Sequence, residues 1–181
     1  MKGNRPYVIG LSSPSGGGKT TITKALSKKL PNNTAVYFDE FDDSTVHPAD
    51  LAEWAANGGD YNVWNEFQYL IFDAPLGRAN SELGEFIDFM VFIDTPLDVA
   101  MARRFLRDCF DVFDNNKEAD WNGLKKELVG YLNGGRSAYL EMLKSVKPSS
   151  DFVVDGILPI DAVCQSIVLK INENQSLLGN A

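Results

Sequence analysis

The sequence has few residues of the kinds that build metal centres or disulfide frameworks. Its 181 residues include one histidine, His47, and two cysteines, Cys109 and Cys164, whose spacing matches no zinc motif. A multi-histidine metal site is therefore excluded. Each cysteine lies in an apolar helical pattern, which predicts a reduced thiol in the core. We accordingly expect a cytoplasmic protein.

Long apolar runs and an excess of positive charge are also missing. No segment approaches the length of a membrane span, and the N-terminus lacks the apolar stretch of a signal peptide. Seventeen basic residues stand against 25 acidic ones, and the net charge of −8 argues against a nucleic-acid or anionic-membrane partner. The length and the 44% of hydrophobic residues predict a single domain over residues 1–181.

A glycine-rich stretch, SSPSGGGKTT at residues 12–21, is the most informative part of the chain. It follows an apolar segment at 7–11 that predicts a buried strand, and it leads into apolar residues whose spacing predicts a helix over 18–30. This is the setting of a phosphate-binding loop. The usual pattern, G-x-x-x-x-G-K-[ST], has glycine where this chain has Ser13. The alternative, a surface turn, is disfavoured by the flanking strand and helix.

The residue types of this loop suit phosphate binding. Glycines let backbone N–H groups approach anionic oxygens, and the helix N-terminus adds partial positive charge. Lys19 supplies a mobile cation for the terminal phosphates, and the Thr20 hydroxyl can ligate Mg²⁺. The residues of the loop that we predict to bind a nucleotide are Ser13, Ser15, Gly16, Gly17, Gly18, Lys19, Thr20 and Thr21.

An acidic residue ends or directly follows each of the four remaining predicted strands. The apolar segments that predict these strands lie at 35–38, 69–73, 89–94 and 152–154. Because strands and helices alternate, we predict a three-layer α/β sandwich, with a five-stranded parallel sheet and helices on both faces. Ligands of such sheets bind at the carboxyl ends of the strands. Asp39 and Asp73 lie at two such ends and are candidate metal ligands, although an acidic surface turn also fits the residues around Asp39.

Three arginines lie on one predicted helix, which begins after Thr95. We expect Thr95 to cap this helix, because proline and then an acidic residue follow it. Arg103 and Arg107 share a face of the helix, and Arg104 is next to Arg103. The cluster fits a phosphate clamp and a solvated helix face equally well.

Other candidates for substrate binding have an ordinary structural alternative. The region at about 44–68 is rich in aromatic residues, among them Trp64, which could line a pocket for a planar ligand or form the core of a small subdomain. Arg78 follows the third predicted strand and could reach a substrate or remain at the surface. Arg136, which follows a pair of glycines, is a further candidate.

Three blocks of the sequence together resemble the P-loop kinases of the uridine kinase and nucleoside kinase type, within the nucleoside monophosphate kinase-like fold. The first is the loop at 13–21. The second is VYFDEF at 36–41, a strand that ends in an acidic residue followed by an aromatic one. The third is IDTP at 93–96 with ARRFLRD at 102–108, which is similar to the family's run from the fourth strand into its lid.

The resemblance implies roles for these residues. Asp39 would accept the proton of the substrate hydroxyl and help to hold Mg²⁺, and Asp73 would be the other acidic partner of the metal. The lid, at about 100–120, would close on the transferring phosphoryl group with Arg103, Arg104 and Arg107. Gly156, after the last strand, would lie near the adenine of ATP.

The resemblance also implies an activity, with the acceptor left open. The expected enzyme is an ATP- and Mg²⁺-dependent kinase of a small hydroxylated metabolite, with a nucleoside as the best single candidate. Two departures bear on the acceptor: residues 64–68 run almost directly into the third strand, and Ala100 stands where uridine kinases tend to have an arginine. Another small acceptor (a nucleoside monophosphate, a sugar or a short acid) or a catalytically silent nucleotide-binding regulator are the alternatives, and homo-oligomers are compatible with each of these.

Overall fold

A parallel five-stranded sheet forms the centre of the protein. The computed structural model describes residues 5–37, 67–79, 84–110 and 120–179. The strands are in the order β2-β3-β1-β4-β5, and each neighbouring pair is parallel. Their bounds are β1 Tyr7–Ser12, β2 Asn33–Val36, β3 Tyr69–Asp73, β4 Phe89–Asp94 and β5 Phe152–Asp155. This confirms the predicted fold class.

Five α-helices accompany the sheet in the described part of the chain. They are α1 Lys19–Ser27, α2 Leu97–Asp108, α3 Trp121–Gly130, α4 Arg136–Ser145 and α5 Ile160–Gly179. A π-helical turn, Tyr131–Gly135, joins α3 to α4, and the backbone leaves helical geometry there at Gly134. The described residues include no helix that is both long and apolar enough to cross a membrane.

The larger core lies between the sheet and the helices α1 and α5. Odd-numbered residues of β1 and β4, such as Ile9 and Val91, point to this side, where Leu26 of α1 and Ile167 of α5 are fully buried. A smaller cluster, which includes Met90, covers the other face. Cys164 belongs to the larger core, and both cysteines are free and buried, as predicted.

The region between α1 and β2 differs from the prediction. β2 covers 33–36 rather than 35–38. The amide of Asn33 donates to the carbonyls of Ser27 (2.8 Å) and Leu30 (2.7 Å), and the Ser27 hydroxyl donates to its Oδ1 (2.6 Å). A polar residue therefore starts the strand, because its side chain satisfies the open end of α1.

Several sequence predictions lie outside the described residues. They are Asp39, Trp64, most of the region 44–68 and the part of the lid at 111–119. These predictions are neither supported nor contradicted by the fold.

Candidate functional site

The loop between β1 and α1 bends tightly at its glycines. Gly16 and Gly18 have φ of 81° and 104°, values that favour glycine, and the Gly17 amide donates to the Pro14 carbonyl at 2.8 Å. A Cβ atom on Gly16 would overlap the backbone carbonyl of Ala100 in α2. The loop therefore packs directly against α2, and its conformation depends on the absence of side chains.

Ser13 occupies the place of the missing glycine without opening the loop. Its side chain is buried, its hydroxyl donates to the Pro14 carbonyl at 3.0 Å, and Gly17 lies so close above it that a Cβ there would overlap the Ser13 hydroxyl. Ser13 is not among the described residues that line the cavity beside the loop. The Ser13 side chain thus packs beneath the loop, and its place among the nucleotide-binding residues stays a prediction.

A cavity of about 440 Å³ lies next to this loop. Its lining combines the loop and two arginines of α2 with several apolar side chains. The described residues that line it are Ser15, Gly16, Gly17, Gly18, Lys19, Thr20, Thr21, Ile22, Ile93, Arg103, Arg107, Gly156, Leu158, Ile160 and Val163. The fold thus brings Gly156, which is 138 residues away from Gly18 in the sequence, to the same cavity as the loop.

Lys19, Thr20 and Asp73 meet at the ends of the neighbouring strands β1 and β3. The Lys19 Nζ donates to the Ser13 carbonyl at 3.2 Å and lies 3.9 Å from the Asp73 carboxylate. The Thr20 hydroxyl donates to the same carboxylate at 3.3 Å. The Asp73 side chain is 4% exposed, so this charge is held by partners rather than by solvent.

This pair of oxygen donors fits a magnesium ion. Mg²⁺ binds one or two hard oxygen ligands from a protein and takes the rest from phosphates and water. Thr20 and Asp73 provide a hydroxyl and a carboxylate beside the loop, and among the described residues no group of three or more His, Cys, Asp or Glu side chains could hold a metal. The hydroxyl and the carboxylate suit a metal that takes its other ligands from phosphates and water.

Only two of the three predicted lid arginines line the cavity among the described residues. Arg103 donates to the Gly156 carbonyl at 3.2 Å. Arg107 lies one turn further along α2 and donates to Asp108 at 2.5 Å and 3.0 Å. These hydrogen bonds are the main cause that holds the pKa of Asp108 below its ordinary value.

Arg104 is not among the described residues that line this cavity, and its place in the clamp stays a prediction. It forms an ion pair with Glu127 of α3 and donates to the Tyr139 hydroxyl of α4 at 2.9 Å. The reason is helical geometry, because residues at i and i+4 share a face and their neighbour at i+1 is turned by about 100°. Arg104 thus joins α2 to the helices that follow it.

Arg78 lies near the amino ends of the strands, at the opposite end of the sheet from the loop. This position does not favour a contact between Arg78 and a substrate. Its guanidinium binds Asp151 through two hydrogen bonds of 2.6 and 2.9 Å, and Asp151 also accepts a hydrogen bond from the Met90 amide at 2.7 Å. These partners stand at the amino ends of β4 and β5, away from the loop. Arg136 is exposed at the start of α4 and is not among the described residues that line the cavity.

We expect the substitution Arg78→Ala to lower stability and to leave turnover unchanged. The free energy of unfolding should fall by about 2 kcal/mol, because the partly buried Asp151 loses two charged hydrogen bonds. Urea unfolding and steady-state kinetics measure the two effects. Arg5→Ala is the matched control: Arg5 pairs with Asp88 through two hydrogen bonds of 2.7 and 2.8 Å, and its loss should likewise lower stability without changing turnover. Unchanged stability with a raised KM for the acceptor would restore Arg78 to the substrate site.

The sequence pattern does not predict the apolar lining of the cavity or the contact between Thr95 and the loop. Leu158, Ile160 and Val163 lie after β5, where the pattern predicts only the start of a helix. Thr95 does not cap α2, since no side chain caps that helix, and its hydroxyl instead donates to the Gly17 carbonyl at 2.8 Å. The cap prediction is wrong because a contact across 78 residues leaves no local signal.

Comparison with known proteins agrees with the fold and with the prediction of a kinase. No family model matches the chain. Uridine-cytidine kinase B of Dictyostelium discoideum is 22% identical over 94% of this chain and 85% of its own length. The uridine kinase of Latilactobacillus sakei is 22% identical over 93% of this chain and 96% of its own length.

Solved structures of P-loop kinases have the same architecture. Shikimate kinase from Bacteroides thetaiotaomicron superposes with a TM-score of 0.55 at 16% identity, covering 91% of this chain and 98% of the other. Deoxyadenosine kinase from M. mycoides gives a TM-score of 0.51 at 16% identity, covering 92% and 99%. The fold is that of the P-loop kinases, and the comparisons support a small-molecule kinase, as the sequence predicts.

Proposed function

We propose that this protein transfers the γ-phosphoryl group of ATP to a hydroxyl group of a small metabolite, and that the metabolite is a nucleoside. The observation that carries the proposal is the joint cavity of the loop, Lys19 and Thr20, with Asp73 at the adjacent strand end. Such a cradle has the charge and the donors for a triphosphate.

In this proposal the cavity holds the donor nucleotide along its length. The backbone amides of residues 15–20 surround the phosphates, and Lys19 neutralises the charge that builds up on the outer ones. Arg103 and Arg107 approach from α2 and stabilise the phosphoryl group during transfer. The apolar lining formed by Leu158, Ile160 and Val163 packs against the adenine, beside Gly156.

The same residues provide for a metal ion and its surroundings. Thr20 and Asp73 would hold Mg²⁺, which when bound neutralises charge on the β- and γ-phosphates. The Lys19 Nζ lies 3.9 Å from one oxygen of the Asp73 carboxylate, and the other oxygen accepts the hydrogen bond from Thr20.

For the acceptor, the proposal relies on the order of the strands. β2 lies beside β3 with Val36 level with Phe72, so the chain leaves β2 at the edge of the sheet where Asp73 lies. Asp39 follows three residues after the end of β2 in sequence and is our candidate for the general base.

The choice of a nucleoside draws its support from the relatives named above. Their names describe uridine and cytidine kinases, although at 22% identity. Both alignments, over 215 and 211 positions, are longer than the whole chain, so the relatives have residues with no counterpart here. The missing residues agree with the short segment that precedes the third strand in this chain. They also allow an acceptor of a different shape from that of the relatives. The two free cysteines are compatible with the cytoplasmic location that we propose.

ADP release in the presence of candidate acceptors tests the proposal. We expect the purified protein with ATP and Mg²⁺ to release ADP above its background rate with uridine, cytidine or a deoxynucleoside. Shikimate, simple sugars and nucleoside monophosphates form the comparison panel. Turnover confined to a member of that second group would overturn the nucleoside but keep the kinase. Binding of ATP without turnover on any member would favour a silent regulator.

A further inference from the structure

We propose that Thr95 is a positioning residue for phosphate binding: its hydroxyl fixes the direction of the peptide between Gly17 and Gly18. The inference rests on the proposed function, because it assumes that the loop binds the phosphates of a nucleotide. It adds a residue that lies outside the loop and outside the set of predicted site residues.

The contact itself is short and shielded from water. Thr95 lies between β4 and α2, is 1% exposed, and donates its hydroxyl hydrogen to the Gly17 carbonyl at 2.8 Å. Gly17 is buried as well. A buried carbonyl that loses its donor pays the desolvation cost in full, so this bond has more weight than one at the surface.

Two bonds hold Gly17 from opposite sides. Its amide donates to the Pro14 carbonyl at 2.8 Å, and its carbonyl accepts from Thr95. Because a trans peptide is planar, the carbonyl of Gly17 and the N–H of Gly18 point in opposite directions. With the carbonyl turned toward Thr95, the Gly18 N–H is turned away from it. Both glycines line the cavity, so this N–H is available to an anion there.

Gly156, which lies against Thr95, leaves space for the Thr95 hydroxyl. A Cβ atom on Gly156 would overlap the Thr95 hydroxyl oxygen. The Gly156 amide donates to the Asp94 carbonyl at 3.0 Å, and its own carbonyl accepts from Arg103 at 3.2 Å. Gly156 is thus held in place, and only a residue without a side chain fits beside the hydroxyl.

Binding of ADP to the whole chain tests this role with three variants. Thr95→Val keeps the shape of the side chain and removes the donor, whereas Thr95→Ser keeps the donor. We expect the Kd for ADP, measured by calorimetry, to rise about tenfold or more in Thr95→Val. In Thr95→Ser it should stay within about threefold of wild type. Thr95→Ala, which also lacks the hydroxyl, should behave as the valine variant does.

The result that would overturn the inference differs from the one that would overturn the proposed function. If wild type binds ADP and Thr95→Val binds it equally well, the positioning role is wrong. The same holds if Thr95→Ser is as weak as Thr95→Val, or if the valine and alanine variants both fail to fold in urea titrations while serine folds. If wild type binds no ADP at all, the proposed function fails first.

Discussion

Replacing Lys19 with alanine should lower kcat by about a thousandfold or more while the chain stays folded. In the described structure Lys19 is the lysine of the loop, with its Nζ 3.2 Å from the Ser13 carbonyl and 3.9 Å from Asp73. The charge that builds up on a transferring phosphoryl group would lose the cation that the loop provides. ADP release under saturating ATP and acceptor measures the effect, and circular dichroism with thermal unfolding reports the fold.

Lys24→Ala is the matched control for this experiment. Lys24 lies in the same helix, is exposed, and stands over the Tyr37 ring at 5.8 Å, and it is not among the described residues that line the cavity. Its loss should leave kcat within about twofold of wild type, since it contributes only surface charge. Normal turnover by Lys19→Ala, or an equal loss in Lys24→Ala, would show that the cation beside the loop is not part of the chemistry.

Asp39→Asn should be the second large effect, with a loss of about a hundredfold or more in kcat. Asparagine has nearly the same shape but cannot take up the proton of the attacking hydroxyl. The position of β2 beside β3 supports this assignment, because it sends the chain toward the edge that bears Asp73. The binding of ATP should change much less than kcat, since the assigned role concerns the acceptor.

The neighbouring carboxylates provide the control for Asp39. Asp42→Asn and Asp43→Asn change the charge of the same acidic stretch by the same amount and should retain most of the turnover. If Asp39→Asn phosphorylates its acceptor at a near-normal rate, the assignment of the base is wrong. A large loss confined to Asp42→Asn or Asp43→Asn would move the role to that residue.

The parts of the fold that the sequence predicts well are those decided by burial. The third and fourth predicted strands, 69–73 and 89–94, agree with β3 and β4 to the residue. Both are apolar runs that lie in the middle of a parallel sheet, where the environment on both faces requires apolar side chains. β2 is an edge strand of four half-buried residues, so its pattern is weaker, and the sequence predicts its start two residues too late.

For the site, the sequence predicts features that are local in the chain but not contacts between distant residues. The loop and Asp73 are predicted from the sequence because each is a short local pattern. The loop is a run of glycines followed by lysine and threonine between a strand and a helix, and Asp73 is a carboxylate at the end of an apolar strand. The partners of Arg104 and Arg78 do not follow from the sequence, because Glu127, Tyr139 and Asp151 come from elsewhere in the chain. A charged side chain binds the partner that the fold presents, and spacing alone does not give that partner.

The most direct test of the account is a crystal structure of the protein with Mg²⁺ and a non-hydrolysable ATP analogue. The account predicts the triphosphate within hydrogen-bonding distance of the amides of residues 16–20 and of the Lys19 Nζ, with the base against Leu158 and Ile160. Density for the phosphates at any other place, with the loop beside Lys19 left without contacts to them, would contradict it.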